Sequence, residues 1–169
     1  AAHFLLSIIL IAGALSLRQR AHGKSPIEIT LIPLVSKLIW LHLLLTALVI
    51  FAGTIVTGSG PHAGDSAAER FNLDSRTMAW LHADLVIALF GVSIALLIAI
   101  RLGLSGLARQ VLSGRIQIFF IIALAQGGIG YIQYFTKLPE ALVAAHIIGS
   151  IAVWLSAWNL FISSNLGAN

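Results

Sequence analysis

The sequence contains no cysteine and very little charge: Asp, Glu, Lys and Arg together make up 9% of its 169 residues. The missing cysteine excludes disulfides, thiolate metal sites and a cysteine nucleophile, and leaves the redox compartment open. The scarcity of charge excludes an ordinary soluble domain, in which roughly a quarter of residues are charged. The ten Lys and Arg residues, with a formal net charge of +4, sit mostly in short segments between apolar runs. They act as topology signals rather than as a nucleic-acid surface, and no nucleic-acid partner is expected.

What is present is apolar sequence, 59% of the chain. Several stretches of about 20 residues are long enough to cross the roughly 30 Å of hydrocarbon in a bilayer. There the backbone must satisfy its own hydrogen bonds, so the stretches are helical. Five membrane-spanning helices are expected, over about 1–17, 34–57, 75–100, 116–135 and 139–162. Gly58-Ser59-Gly60-Pro61 breaks the second. Ser75 is the expected N-cap of the third, and Pro139 a first-turn residue of the fifth. Arg18, Arg20, Lys24 and Lys37 flank one loop and Arg101, Arg109 and Arg115 another, which places both on the cytoplasmic side. The loop 59–76, whose Arg70 and Arg76 are offset by Asp65, Glu69 and Asp74, and the turn 136–140 lie outside.

The chain opens inside an apolar run without a basic stretch or small-residue cleavage site, so the first helix is not expected to be a signal peptide. Ala1-Ala2-His3-x-x-x-Ser7 recurs as Ala144-Ala145-His146-x-x-x-Ser150, each at the outer end of an inward-running helix. Such a repeat points to a duplicated four-helix unit, although so short a match between alanine-rich helices also arises by chance. On this view residues 1–19 are the last helix of an incomplete N-terminal bundle. Residues 20–33 are a cytoplasmic linker and 34–165 a complete C-terminal four-helix bundle.

His82 and His146 each lie seven residues beyond an expected helix start, Ser75 and Pro139, or about 10 Å inside the helix. Two parallel helices of one bundle would thus present imidazoles at one depth, as axial ligation of a haem iron requires. The alternative is that each histidine only hydrogen-bonds a neighbouring helix. His3 has the local setting of His146 and would serve a second haem site whose partner histidine lies upstream. His42, near the cytoplasmic end, is expected to be structural, and His62 to be solvated or else to cover the mouth of the site. Gly127 and Gly128 offer a face without side chains for a porphyrin or for a neighbouring helix. Arg70 and Arg76 stand at the outer boundary, where they would meet haem propionates or act as interfacial anchors. Gln133 and Thr57 are at similar depth. Asp84 cannot share a face with His82, because residues two apart on a helix point about 200° away from each other. It is expected to face another helix or the preceding unit.

Thr57-Gly58-Ser59-Gly60-Pro61-His62-Ala63-Gly64-Asp65, Leu81-His82-Ala83-Asp84, Gln126-Gly127-Gly128-Ile129-Gly130-Tyr131-Ile132-Gln133-Tyr134 and Ala145-His146 together resemble haem A synthase, in the version of actinobacteria-like bacteria. The resemblance spans essentially the whole chain. It implies an all-α integral protein of the bacterial inner (plasma) membrane, its last four helices forming a haem-binding bundle. It implies that His82 and His146 ligate a haem b cofactor and that His3 belongs to the half that binds the substrate, haem O. The implied reaction oxidises a methyl group of haem O to the formyl group of haem A. Haem O synthase and an electron donor are the implied partners. Family members have two four-helix halves, and most of the first, including an acidic residue implicated in catalysis, has no counterpart here. The chain alone is therefore expected to be inactive, and its catalytic residues are unassigned. The cysteine pairs of some relatives are also missing. Two other functions fit the same residues: a b-type cytochrome that only transfers electrons, and a non-catalytic membrane subunit or assembly factor.

Overall fold

A computed structural model describes residues 2–21, 32–60 and 70–165. These residues form five helices: α1 (Ala2–Ala21), α2 (Pro33–Ser59), α3 (Ser75–Gly103), α4 (Gly106–Phe135) and α5 (Glu140–Asn165). All five are long and apolar enough to cross a membrane. The chain is thus an all-helical protein of the multi-pass membrane type. His62, with Asp65 and Glu69, and most of the linker between α1 and α2 lie outside the described residues.

Several helix ends differ from those expected. The N-cap of α3 is Asp74 rather than Ser75, because the Asp74 carboxylate accepts the Thr77 backbone N–H at 2.8 Å. The Thr77 hydroxyl donates to the same oxygen, and these two bonds hold the Asp74 carboxyl below its ordinary value. α4 begins at Gly106, ten residues before the expected start, and only Leu104 and Ser105 separate it from α3. Arg109 and Arg115 are therefore helix residues. Nothing between Gly106 and Ile116 breaks a helix, and polarity alone does not end one at a membrane boundary. Pro139 precedes α5 instead of lying in its first turn. Its carbonyl accepts the N–H groups of Leu142 and Val143, which makes it the cap.

The turn from α4 to α5 is strained. Leu138 N–H donates back to the Gln133 carbonyl across Lys137 (φ 61°), and Leu138 itself has φ 59°. This is the glycine-type helix stop built without glycine, and a left-handed L-residue costs about 1 kcal/mol or more. Lys137→Gly is expected to raise the unfolding temperature, by relief of up to about 1 kcal/mol. A thermal melt in detergent that shows no rise would contradict it.

Helices α2 to α5 pack as a ring in which each touches the next and α5 closes on α2. α2 and α3 form one antiparallel hairpin. Phe71 lies on Gly58 at the end expected to lie outside, the outer end, and Ile32 on Gly103 at the opposite, inner end. α4 and α5 form the second hairpin. α1 packs on α5 alone among the principal contacts, parallel to it. Trp154 Nε1 donates to the Ile8 carbonyl at 3.0 Å, and Trp158 Nε1 donates to the Ser16 hydroxyl at 2.9 Å. Ala2-His3 and Ala145-His146 consequently lie at the same end of neighbouring parallel helices.

The inner half of this ring is close-packed and the outer half is not. The first fully buried hydrophobic side chain on α3 is Leu89 and on α5 Val153, while the last on α4 is Ala123 and on α2 Ala52. Phe119, Leu96, Ile100, Leu112, Ile116 and Leu160 have no exposed surface and fill the inner half. Toward the outer end, no apolar side chain of α3 before Leu89 or of α5 before Val153 is buried. The split follows from the residues. Bulky side chains face inward below this level, whereas glycines, threonine and histidine line the bundle above it.

Candidate functional site

His82 and His146 stand in the loosely packed outer half, on α3 and α5, which are diagonal to each other in the ring. Both imidazoles are half-buried. Each ring rests on a glycine of the partner helix in its own hairpin. A Cβ on Gly53 of α2 would stand 3.3 Å from His82 Cε1, and one on Gly130 of α4 would stand 3.6 Å from His146 Cε1. The two hairpins are thus built alike, with His82 and Gly53 in one matching His146 and Gly130 in the other.

The His82 ring is oriented by a hydrogen bond. Its Nδ1 lies 3.0 Å from the Val49 carbonyl, four residues before Gly53. A carbonyl oxygen only accepts, so Nδ1 carries the proton and Nε2 keeps its lone pair. This is how ligating histidines are commonly set, the far nitrogen donating to backbone and the near one left to the metal. The corresponding position on α4 is Gln126, four residues before Gly130. His146 lies beside the Gln126 backbone, but its Nδ1 is buried without a hydrogen bond. The Gln126 side chain occupies the space that a Cβ on Gly149 would need. Gly149 therefore admits the amide against α5, one turn below His146.

The other expected residues separate into those the fold gathers here and those it does not. Thr57 is one turn outward of Gly53 on the same face, its hydroxyl donating to the Gly53 carbonyl at 3.1 Å. Gln133 is buried on α4, about one turn outward of Gly130. Arg70 donates from Nη1 to the Gly60 carbonyl at 3.0 Å, at the outer end of α2. Gly127 and Gly128 border open space, with nothing within 4 Å of an added Cβ. It is Gly130, from the same motif, that meets an imidazole. Arg76 lies 5.0 Å over the ring of Trp80. Trp80 is exposed and points about 200° from His82 around α3, so Arg76 is held on the outer surface.

His3 is exposed on α1, with its carbonyl accepting the Ser7 hydroxyl at 2.8 Å. Asp84 is also exposed, on the exterior of α3 rather than against another described helix. His42 is 1% exposed and packs edge-on against Phe119 with ring centroids 4.3 Å apart. It lies seven residues below Val49 on the same face of α2, about 10 Å from the His82 level.

Sequence reasoning missed Gly53 and Val49. The only available signal was a glycine inside a strongly apolar helix, which by itself says nothing of what lies against it. Among the described residues, no third histidine, aspartate or glutamate joins His82 and His146 in a metal-holding group. Two imidazoles on diagonal helices suit a metal whose remaining ligands come from a planar macrocycle better than one that needs four protein donors. The glycine seats, the oriented Nε2 and the unpacked outer half all fit such a group. Compared with protein-family models, with curated proteins and with solved structures, the chain matches none.

Proposed function

We propose that this chain binds a b-type haem between His82 and His146, as the cofactor-bearing half of a haem A synthase. The observation that carries the haem assignment is the pair of equivalent seats, each imidazole resting on a glycine of the adjacent helix in its own hairpin. The Val49 carbonyl supports it by directing the His82 lone pair away from α2. A bound haem would supply one-electron redox chemistry. The chain's own residues would hold it, exclude water on the inner side with the packed core, and set its tilt through Gly53 and Gly130. Gln133, Thr57 and Arg70 are the polar groups nearest the outer end, where the acid groups of a haem would need partners.

The synthase assignment rests on the resemblance in the histidine and glycine segments. The alternative of a purely electron-transferring cytochrome uses the same haem site. Haem O turnover distinguishes them. The resemblance places the substrate in a four-helix unit preceding α2, so the assay uses membranes holding a protein with both units. Haem A is expected there, identified by the mass of the extracted porphyrin, and is expected to be lost in His146→Ala. This chain alone is expected to form none. A haem-loaded two-unit protein that leaves haem O unchanged would reduce the reading to electron transfer.

A further inference from the structure

At the opposite, arginine-rich end of the bundle, the space between α3 and α4 opens into a cleft of about 640 Å³ lined by Arg101, Arg109, Gln110, Ser113, Gly114 and Gln117. Four of its α4 residues, Gln110, Ser113, Gly114 and Gln117, are spaced i, i+3, i+4, i+7 and so form one stripe along the helix, with Arg109 beside it. A polar stripe on a helix long and apolar enough to span a membrane faces lipid at a cost unless something pairs with it. Among the described residues the lining contains two cations and no acid, so the cleft is complementary to an anion.

The Ser113 hydroxyl, on the same stripe, is left without a partner. Ser7, Ser16, Ser93 and Ser163 each donate to the backbone carbonyl four residues earlier. This is the usual way a serine hides its hydroxyl in an apolar helix. Ser113 makes no such bond, and its Oγ is buried without any partner. An unpaired buried hydroxyl costs about 1–3 kcal/mol.

The polarity changes along the cleft in one direction. Beyond Gln117 the same line of α4 continues as Ile121 and Leu124, both exposed. From Arg101 the line of α3 toward the membrane centre continues as Ile98 and Ile94, also exposed. Cations at the boundary, then hydrogen-bonding groups, then bare apolar surface is the order of phosphate, glycerol-ester region and acyl chain in a phospholipid. A free phosphate would use only the first part.

We propose that this cleft binds an anionic phospholipid of the leaflet at the arginine-rich end, Arg101 and Arg109 holding its phosphate and Gln110 and Gln117 its glycerol and ester groups. Basic recesses between helices at the cytoplasmic boundary are suited to such headgroups. The site is separate from the histidine pair and does not depend on what that pair holds.

Native mass spectrometry of the detergent-purified chain tests it, with phosphatidylglycerol and phosphatidylcholine of identical acyl chains, and with inorganic phosphate as competitor. Each arginine near an anionic lipid is worth about a factor of five. Wild type is therefore expected to retain phosphatidylglycerol about thirty-fold better than the Arg101→Ala/Arg109→Ala double variant. Both arginines are exposed, so the fold should persist, and an unchanged helical circular-dichroism spectrum verifies this. Gln117→Leu, which leaves the charges in place, is expected to lower retention several-fold. Equal retention of the two lipids by wild type would overturn the proposal. So would displacement of phosphatidylglycerol by inorganic phosphate at equal concentration, which would mark a bare anion site.

Discussion

Alanine at His82 or at His146 is expected to remove or shift the b-type α-band in the reduced-minus-oxidised spectrum of the purified chain. With both imidazoles present, a haem iron held there would draw one nitrogen donor from each of two diagonal helices. Either variant leaves one, and the band shifts or is lost with the haem itself. Losing merely the hydrogen-bond partner of a ligating histidine typically costs about 10–100-fold in metal affinity or activity. Loss of the ligand should exceed that. Two controls separate ligation from folding. His3→Ala alters an exposed residue on α1 and should leave the spectrum unchanged. Gly53→Leu leaves every histidine in place but drives a side chain into the His82 ring, whose Cε1 would lie 3.3 Å from even a Cβ there. It should diminish the band as His82→Ala does. A spectrum indifferent to both histidine variants, or a well-folded preparation without haem, would sink the site.

Stability is expected to reside in the other half of the bundle. Phe119 has no exposed surface and meets His42 across the ring. Phe119→Ala should destabilise by about 3 kcal/mol, the low end for a buried phenylalanine. The low end applies because lipid is as apolar as the core, so dispersion contacts are lost but little hydrophobic transfer energy. The variant also leaves His42, whose two ring nitrogens have no hydrogen-bond partner, beside a cavity that water can enter. Leu81→Ala in the outer half removes a side chain 49% exposed, and surface substitutions of this kind usually stay within about 0.5 kcal/mol. Unfolding by denaturing detergent, followed by circular dichroism, would register both. Equal losses at the two positions would contradict the division into a packed inner and an open outer half.

Helix identity was legible because it is a matter of composition. Runs without charge, bounded by Gly58-Ser59-Gly60-Pro61 and Pro139, announce spans whatever surrounds them. The start of α4 was not legible. Arg109, Gln110, Ser113 and Arg115 look like a loop until the fold shows that one face of the helix meets α3 and another the polar cleft. The depth of His82 and His146 could be counted from the helix starts, since rise per residue is constant. Their seats could not. That Gly130 rather than Gly127 or Gly128 meets an imidazole depends on the rotation of α4 against α5, and Arg76 is turned away by the rotation of α3. Composition and spacing, which act within one helix, determined that the chain spans a membrane and where its histidines stand along the helices. Helix order around the ring, the glycine under each imidazole and the Val49 carbonyl that sets the His82 proton were decided only by tertiary packing. Those depend on which faces meet, and in an almost uniformly apolar helix no periodicity marks the face that will be buried.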